Sequence, residues 1–328
     1  MSQGARAQAT STLDVDAAMV RVEETILHAT RCDEPLLARM VGDLVLAGGK
    51  RLRPRLALLA FAACGGKPER LDDAPSGPYQ AVIAAAAAFE LIHTASLVHD
   101  DIIDQSPLRR GRPTLHVAYG ISHALVAGDF LFTRGFGLSG RLGSDVIAVT
   151  EEACARLAEG EVMEQRLLAE EVDEERYLTI IIKKTAEPIR ACAKAGALIA
   201  GAPADVVEAL GNYGIEVGIA FQIADDVLDI AGDPAQTGKA VGQDAKTGVL
   251  TLPAGVAGSD AATFREMART SDPEELRRLL EAAGAIGKAR AVAMKYVERA
   301  KGRLDVLPAS PAKAELIALA DSVVERRK

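Results

Sequence analysis

The chain has 328 residues, with 38 Lys and Arg against 46 Asp and Glu, a formal charge of -8; this argues against nucleic acid as a partner but leaves room for a local basic pocket. Hydrophobic residues make up 49%, yet Trp is absent and aromatics are only 4%, so aliphatic side chains and alanine must do the packing, which favours close-packed helices over a β-sandwich. Cys32, Cys64, Cys154 and Cys192 are scattered without a CxxC pair, the usage of reduced thiols in the cytoplasm rather than of a zinc knuckle or disulfide framework.

In chain order, the opening "MSQGARAQATSTLD" is polar and small and lacks the apolar core of a leader, so residues 1–13 are expected to be disordered. Residues 14–328 then read as a single all-α domain. Breaks such as 65–78, 135–144, 200–203 and 231–248 separate long periodic segments at roughly 79–104, 145–169, 203–230 and 286–305. No uninterrupted run of 18 apolar residues occurs. "YLTIIIKKT" (177–185) has strand-like β-branched content between helical neighbours and is assigned to helix. "SDPEELRRLLEAAG" carries a start signal, with Asp272 as N-cap and Pro273 at the first helical position.

Two segments share one arrangement of acids. "LVHDDIIDQS" (97–106) and "IADDVLDIAG" (223–232) both contain Asp-Asp-x-x-Asp. On a helix, positions i and i+4 share a face and i+1 lies about 100° round, so Asp100, Asp101 and Asp104 form one acidic patch and Asp225, Asp226 and Asp229 another. A solvated helix face would explain most such clusters. Here both are embedded in apolar sequence, where desolvated like charges require cations. Hard oxygen ligands without clustered His or Cys point to Mg²⁺, which bridges carboxylates to phosphate oxygens.

Basic residues complete the pattern. "GGKRLRP" (48–54) is expected to place Lys50 and Arg53 on one helical face after a Gly-Gly turn, and "PLRRGRPTLH" (107–116) puts Arg109 and Arg110 on a loop that can fold back over the first acidic motif. Lys183, Lys184 and Thr185 follow in "KKTAEP", and Lys239 in "TGKAVGQD". Singly, each suits a surface ion pair. Together with the acids they describe a site for one or two diphosphates.

This ordered series resembles the all-trans isoprenyl diphosphate synthases. The resemblance runs from about residue 35 to 255 through "GGKRLRP", "ELIHTASLVHDDIID", "RRGRPTLH", "GDFLFTRGF", "AEGEVMEQ", "KKTA", "FQIADDVLD" and "GKAVGQDAKTGVLTLP". It implies an all-α helical bundle around a deep central cavity, with the two acidic motifs facing each other, and a homodimer. It further implies that three Mg²⁺ ions and nearby Lys and Arg neutralise the leaving diphosphate of an allylic substrate. The resulting cation is then joined to isopentenyl diphosphate, with released pyrophosphate as the base. A peripheral membrane contact would serve product release.

Carried over by position, Lys50, Arg53, His93 and Arg110 correspond to residues holding isopentenyl diphosphate, and Arg109, Lys184, Thr185, Gln222 and Lys239 to those around the allylic diphosphate. Asp100, Asp104, Asp225, Lys184 and Lys239 correspond to the catalytic set. A lone His in an apolar helix can instead be a hydrogen-bonded core residue, and Glu161 and Glu164, near the family's metal cluster, can equally lie on an exposed helix face. One departure is Val249 in "GVLTLP", where the family commonly carries lysine; Lys246 offers compensation. Ala240 replaces a common proline.

Chain length follows from sterics. Ser96, Ala95, Ile92 and Ala88 precede Asp100 by four, five, eight and twelve residues, and the small residues at the first two positions leave a tunnel open. Phe132 is a candidate for a deeper floor. A long-chain synthase making a product above C20, of the octaprenyl or decaprenyl type used for quinone side chains, is therefore expected, with a short-chain farnesyl or geranylgeranyl synthase as the alternative. The alanine run at 84–88 suits tight packing equally well. A terpene cyclase would carry more aromatics and a different second metal motif. A non-catalytic partner subunit would typically have lost aspartates.

Overall fold

The computed structural model describes residues 13–68, 77–167, 174–231 and 273–325. The expected disorder of the N-terminus, Asp272, and the loop with Lys239, Ala240, Lys246 and Val249 lie outside the described residues. Helices α1 (Val15–Ala29), α2 (Pro35–Leu46), α3 (Leu52–Ala63) and α4 (Pro78–Ile103) come first. A short hairpin of β1 (Leu108–Arg109) and β2 (Arg112–Pro113) separates them from α5 (Leu115–Tyr119), α6 (Ile121–Ser139) and α7 (Ser144–Leu167). Then come α8 (Glu174–Ile181), a π-turn (Ile182–Ala186), α9 (Glu187–Ile199) and α10 (Ala204–Ala231). The helices α11 (Pro273–Ala282), α12 (Ala285–Arg303) and α13 (Pro311–Ser322) follow.

Local chemistry explains where these helices begin. Asp14 accepts a hydrogen bond from the Ala17 N–H at 3.0 Å to cap α1, and Ser310 does the same for Lys313 at 3.1 Å in α13. Proline stands in the first turn of α2, α4, α9 and α13, where its missing N–H costs nothing. The strand-like segment at 177–185 is helical throughout, and its irregularity is the π-turn.

The core is built around α4. Its residues Ala85 to Ala88 have no exposed surface, and small side chains there let α3 and α6 approach closely. By length and composition α4 could cross a membrane, but most of its apolar window is buried among other helices, as in a core helix. A second apolar cluster joins α8, α10, α11 and α12 through Tyr177, Ile219, Ile223, Val227, Leu276 and Ala289. Buried polar contacts tie the C-terminal helices to α10. Tyr213 donates to the Leu316 carbonyl at 2.6 Å, and Glu216 pairs with Arg299 at 2.9 Å and Arg303 at 3.2 Å.

Candidate active site

The first acidic motif occupies the last turn of α4. Asp101 is buried, Asp100 half-buried, and Asp104 exposed as the C-cap residue. A helix C-terminus carries partial negative charge, so carboxylates there are disfavoured unless cations compensate. Burial pushes the Asp100 carboxyl up to about 7; Lys184 and Arg109 oppose this, while Glu161 and Asp104 add to it. Asp101 accepts from Arg109 Nε at 2.7 Å.

Arg109 is held by the β1–β2 hairpin. Arg110 and Gly111 at its tip have φ of 52° and 73°, the left-handed pair of a type I′ turn. That turn carries the Arg110 guanidinium over Gly49, where a Cβ would lie 2.9 Å from Nη2. The "GG" of one motif thus makes room for the arginine of another.

The expected helical face shared by Lys50 and Arg53 needs correction. Helix α3 starts only at Leu52, after the left-handed Arg51 (φ 47°), so Lys50 is an exposed residue ahead of it. Arg51 forms a structural anchor that sequence reasoning missed. It binds Glu23 at 2.6 and 3.1 Å, Glu90 at 2.8 Å and the Val45 carbonyl at 3.1 Å, tying α1 and α4 to the start of α3. Arg53 is half-buried, and its buried Nε has no hydrogen-bond partner among the described residues. His93 is pushed well below its usual range by burial and by Arg53, Arg109, Arg110 and Arg51. It is therefore a neutral imidazole in a nest of guanidinium groups. Such a nest has positive charge to spare for an anion.

A second group of residues lies across from α4. Lys184, in the π-turn, pairs with Glu161 of α7 at 2.7 Å and with Glu164. Burial alone would lower the ammonium, but Glu164, Asp100 and Glu161 outweigh it and hold the pKa above the usual range. Glu161 and Glu164 are thus lysine partners, only partly exposed. Thr185 donates to Gln222 at 2.9 Å, and Gln222 donates to Asp226 at 2.9 Å. Tyr177, which the sequence reading passed over, also donates to Asp226. In the second motif Asp225 is exposed, Asp226 buried and Asp229 half-buried.

Among the described residues no three His, Cys, Asp or Glu groups converge as a ready-made metal cage. The donor set still suits a hard divalent cation that keeps waters and bridges to phosphate: it consists of carboxylates, and the carboxyl of Asp100 is short of compensating charge.

A narrow apolar cleft extends from Arg53 and His93, lined by Phe89 and Ile92 of α4, Thr150, Ala153, Cys154 and Leu157 of α7, and Pro188. Of the residues proposed to set chain length, Ile92 lines it. Ala88, Ala95 and Ser96 are buried elsewhere in the packing. Phe132 packs against His99 and Phe136, with ring centroids 5.7 and 6.4 Å apart. Phe89 was not singled out from the sequence, although it shares α4 with the others and stands eleven residues before Asp100.

The polyprenyl synthetase family profile matches residues 34–284. The short chain isoprenyl diphosphate synthase of Methanothermobacter thermautotrophicus is 40% identical over 324 residues, covering 93% of this chain and 94% of its own. The nonaprenyl diphosphate synthase of Mycobacterium tuberculosis is 35% identical over 322 residues, covering 95% and 93%. A polyprenyl synthase from Caulobacter crescentus, crystallised with calcium and isoprenyl diphosphate, superposes with a TM-score of 0.86 at 34% identity, over 97% of this chain and 99% of its own. With its two acidic motifs, its arginine nest and these relatives along nearly its whole length, the chain belongs to the polyprenyl synthetase family and is an all-α prenyltransferase of the isoprenyl diphosphate synthase type.

Proposed function

We propose that this enzyme extends an allylic diphosphate with isopentenyl diphosphate in two separate anion seats. The observation that carries the reading is their difference in character. The seat around His93 is made of arginines, with Arg53 presenting a buried unpartnered Nε. The seat between α4 and α10 is made of carboxylates with Lys184 and Arg109 among them. A diphosphate can enter the first directly, whereas the second needs divalent cations to receive one. Isopentenyl diphosphate is assigned to the first and the allylic substrate to the second.

The carboxylates of Asp100, Asp104 and Asp225 would hold Mg²⁺, which supplies charge neutralisation for the leaving group. Lys184 and Arg109 reinforce it. The allylic C–O bond breaks with its electron pair on the diphosphate. The isopentenyl double bond then provides the pair for the new C–C bond and leaves a tertiary cation; the departed diphosphate takes a proton from the carbon beside it, and that C–H electron pair restores a double bond. The apolar cleft beyond His93 shields the cation from water.

A product above C20 is the first reading, resting on the spacing of the small residues Ala95 and Ser96 in the sequence, although both are buried in the packing and do not line the cleft. A short-chain product is the second reading, favoured by the narrowness of the cleft and by Phe89 in its wall. Incubation with Mg²⁺, farnesyl diphosphate and labelled isopentenyl diphosphate, followed by chromatography of the dephosphorylated products, separates them. No incorporation would overturn the catalytic reading.

A cytoplasmic homodimer is part of the proposal. Val117, Ile121 and Leu125 recur every fourth residue along α5 and α6 and are exposed, with Val126 and Phe136 beside them. A second copy would cover this face. Sedimentation at the monomer mass would refute it.

A further inference from the structure

The segment that carries Lys184 is fastened to α10 at two points, and both lead to one carboxylate. Tyr177 on α8 donates its phenolic O–H to Asp226 Oδ2 at 2.5 Å. Thr185 in the π-turn donates to Gln222 Oε1 at 2.9 Å, and Gln222 Nε2 donates to Asp226 Oδ1 at 2.9 Å. Asp226 is 4% exposed, while its neighbour Asp225 is exposed. The tyrosine ring is itself buried, in an apolar cluster with Ile181, Ala186, Ile219, Ile223 and Val227. It cannot turn its hydroxyl elsewhere without unpacking that cluster.

The three aspartates of the second motif are therefore not equivalent. A metal bond from Asp226 would have to share an oxygen already held by a buried donor. Asp225 has no such burial. In return, holding Asp226 at both oxygens fixes its rotamer and the adjoining backbone of α10 and links them to the turn bearing Lys184. We propose that Tyr177 is a positioning residue for the prenyl transfer: with Gln222 it clamps Asp226 by both carboxylate oxygens, so that Asp226 orients the second acidic motif rather than bonding a metal ion itself. The proposal rests on the magnesium–diphosphate reading given above.

The test uses the full chain and a probe simpler than substrate, Mg²⁺ with inorganic pyrophosphate, measured by calorimetry. Tyr177→Phe keeps the ring and removes only the donor. It is expected to keep its ligand-free melting temperature within a few degrees and its KM for isopentenyl diphosphate. Binding of Mg²⁺ and pyrophosphate should weaken by about tenfold, with a higher KM for the allylic diphosphate. Asp226→Asn should weaken binding to a similar extent, and the double variant no further than the worse single one, since both remove one support.

Gln222→Leu removes the donor to the other oxygen and should act in the same direction. It decides the question if Tyr177→Phe does not fold. Wild-type affinity in the tyrosine variant, additive losses in the double variant, or equal losses at both substrate seats would overturn the inference. A far larger loss in Asp226→Asn than in Tyr177→Phe would mark Asp226 as a direct ligand and overturn it too. Failure of the wild-type chain to bind Mg²⁺ and pyrophosphate would instead overturn the reading on which the inference rests.

Discussion

Arg109 donates to Asp101 at 2.7 Å, joining the hairpin to the most buried aspartate of the first acidic motif. One pair thereby links a loop residue to the end of the core helix. Because Asp101 is buried and Arg109 partly exposed, Arg109→Ala is expected to cost about 1–3 kcal/mol, less than for a fully buried pair. Urea denaturation measures this. The KM for the allylic diphosphate should rise in the same variant.

Removal of a first-position aspartate should act on turnover instead. Asp100→Ala and Asp225→Ala are each expected to lower kcat by several orders of magnitude while circular dichroism stays unchanged, since the carboxylates act chiefly on the charge that builds in the transition state. Near-normal turnover in either variant would remove its assignment.

Substitutions in the arginine nest should separate the two seats. Arg110→Ala and His93→Gln are expected to raise the KM for isopentenyl diphosphate more than that for the allylic partner. Equal effects on both would show that the seats are assigned wrongly.

His93 also makes a pH prediction. Its folded pKa lies well below 6.5, so below pH 6.5 the unfolded chain binds a proton that the folded chain does not. The stability associated with the neutral imidazole is complete above pH 6.5 and is lost as the pH falls from there towards the folded pKa. The melting temperature of the wild type should consequently drop more steeply than that of His93→Gln between pH 6.5 and 5.

The cleft makes a prediction about product size. Ala153→Phe places a ring opposite Phe89 and Ile92 and should shorten the product. Phe89→Ala should lengthen it, at a stability cost of about 3–5 kcal/mol. Ala95 has no exposed surface, so Ala95→Phe should also overpack the core and cost about 1–3 kcal/mol. Reverse-phase chromatography and thermal melts read these variants together.

How much of this was legible in the sequence depends on range. Helix limits were local information: segments expected at 79–104 and 203–230 form Pro78–Ile103 and Ala204–Ala231. The acidic motifs were legible because three carboxylates at fixed spacing in apolar sequence are improbable without a charge partner. Arg51 was not, because its partners Glu23 and Glu90 are 28 and 39 residues away and its left-handed backbone has no glycine to announce it. Tyr177 was hidden for a similar reason. Its partner is 49 residues distant, and a tyrosine beside a β-branched run reads as core filling. The tunnel residues were placed by helical spacing alone, which does not say whether a given face meets a cavity or a neighbouring helix.

The π-turn shows why Tyr177 and Thr185 can both reach α10. In a regular helix, residues eight apart point about 80° away from each other, and residues seven apart only about 20°. The Glu187 N–H reaches back to the Ile182 carbonyl, so the turn accommodates one residue more than an α-turn. That additional residue swings Thr185 back towards the side on which Tyr177 stands. The irregularity costs helix geometry, and the register of two contacts depends on it. Wound as a regular helix with the same residues, the segment would turn Thr185 about 80° round from Tyr177 and away from Gln222.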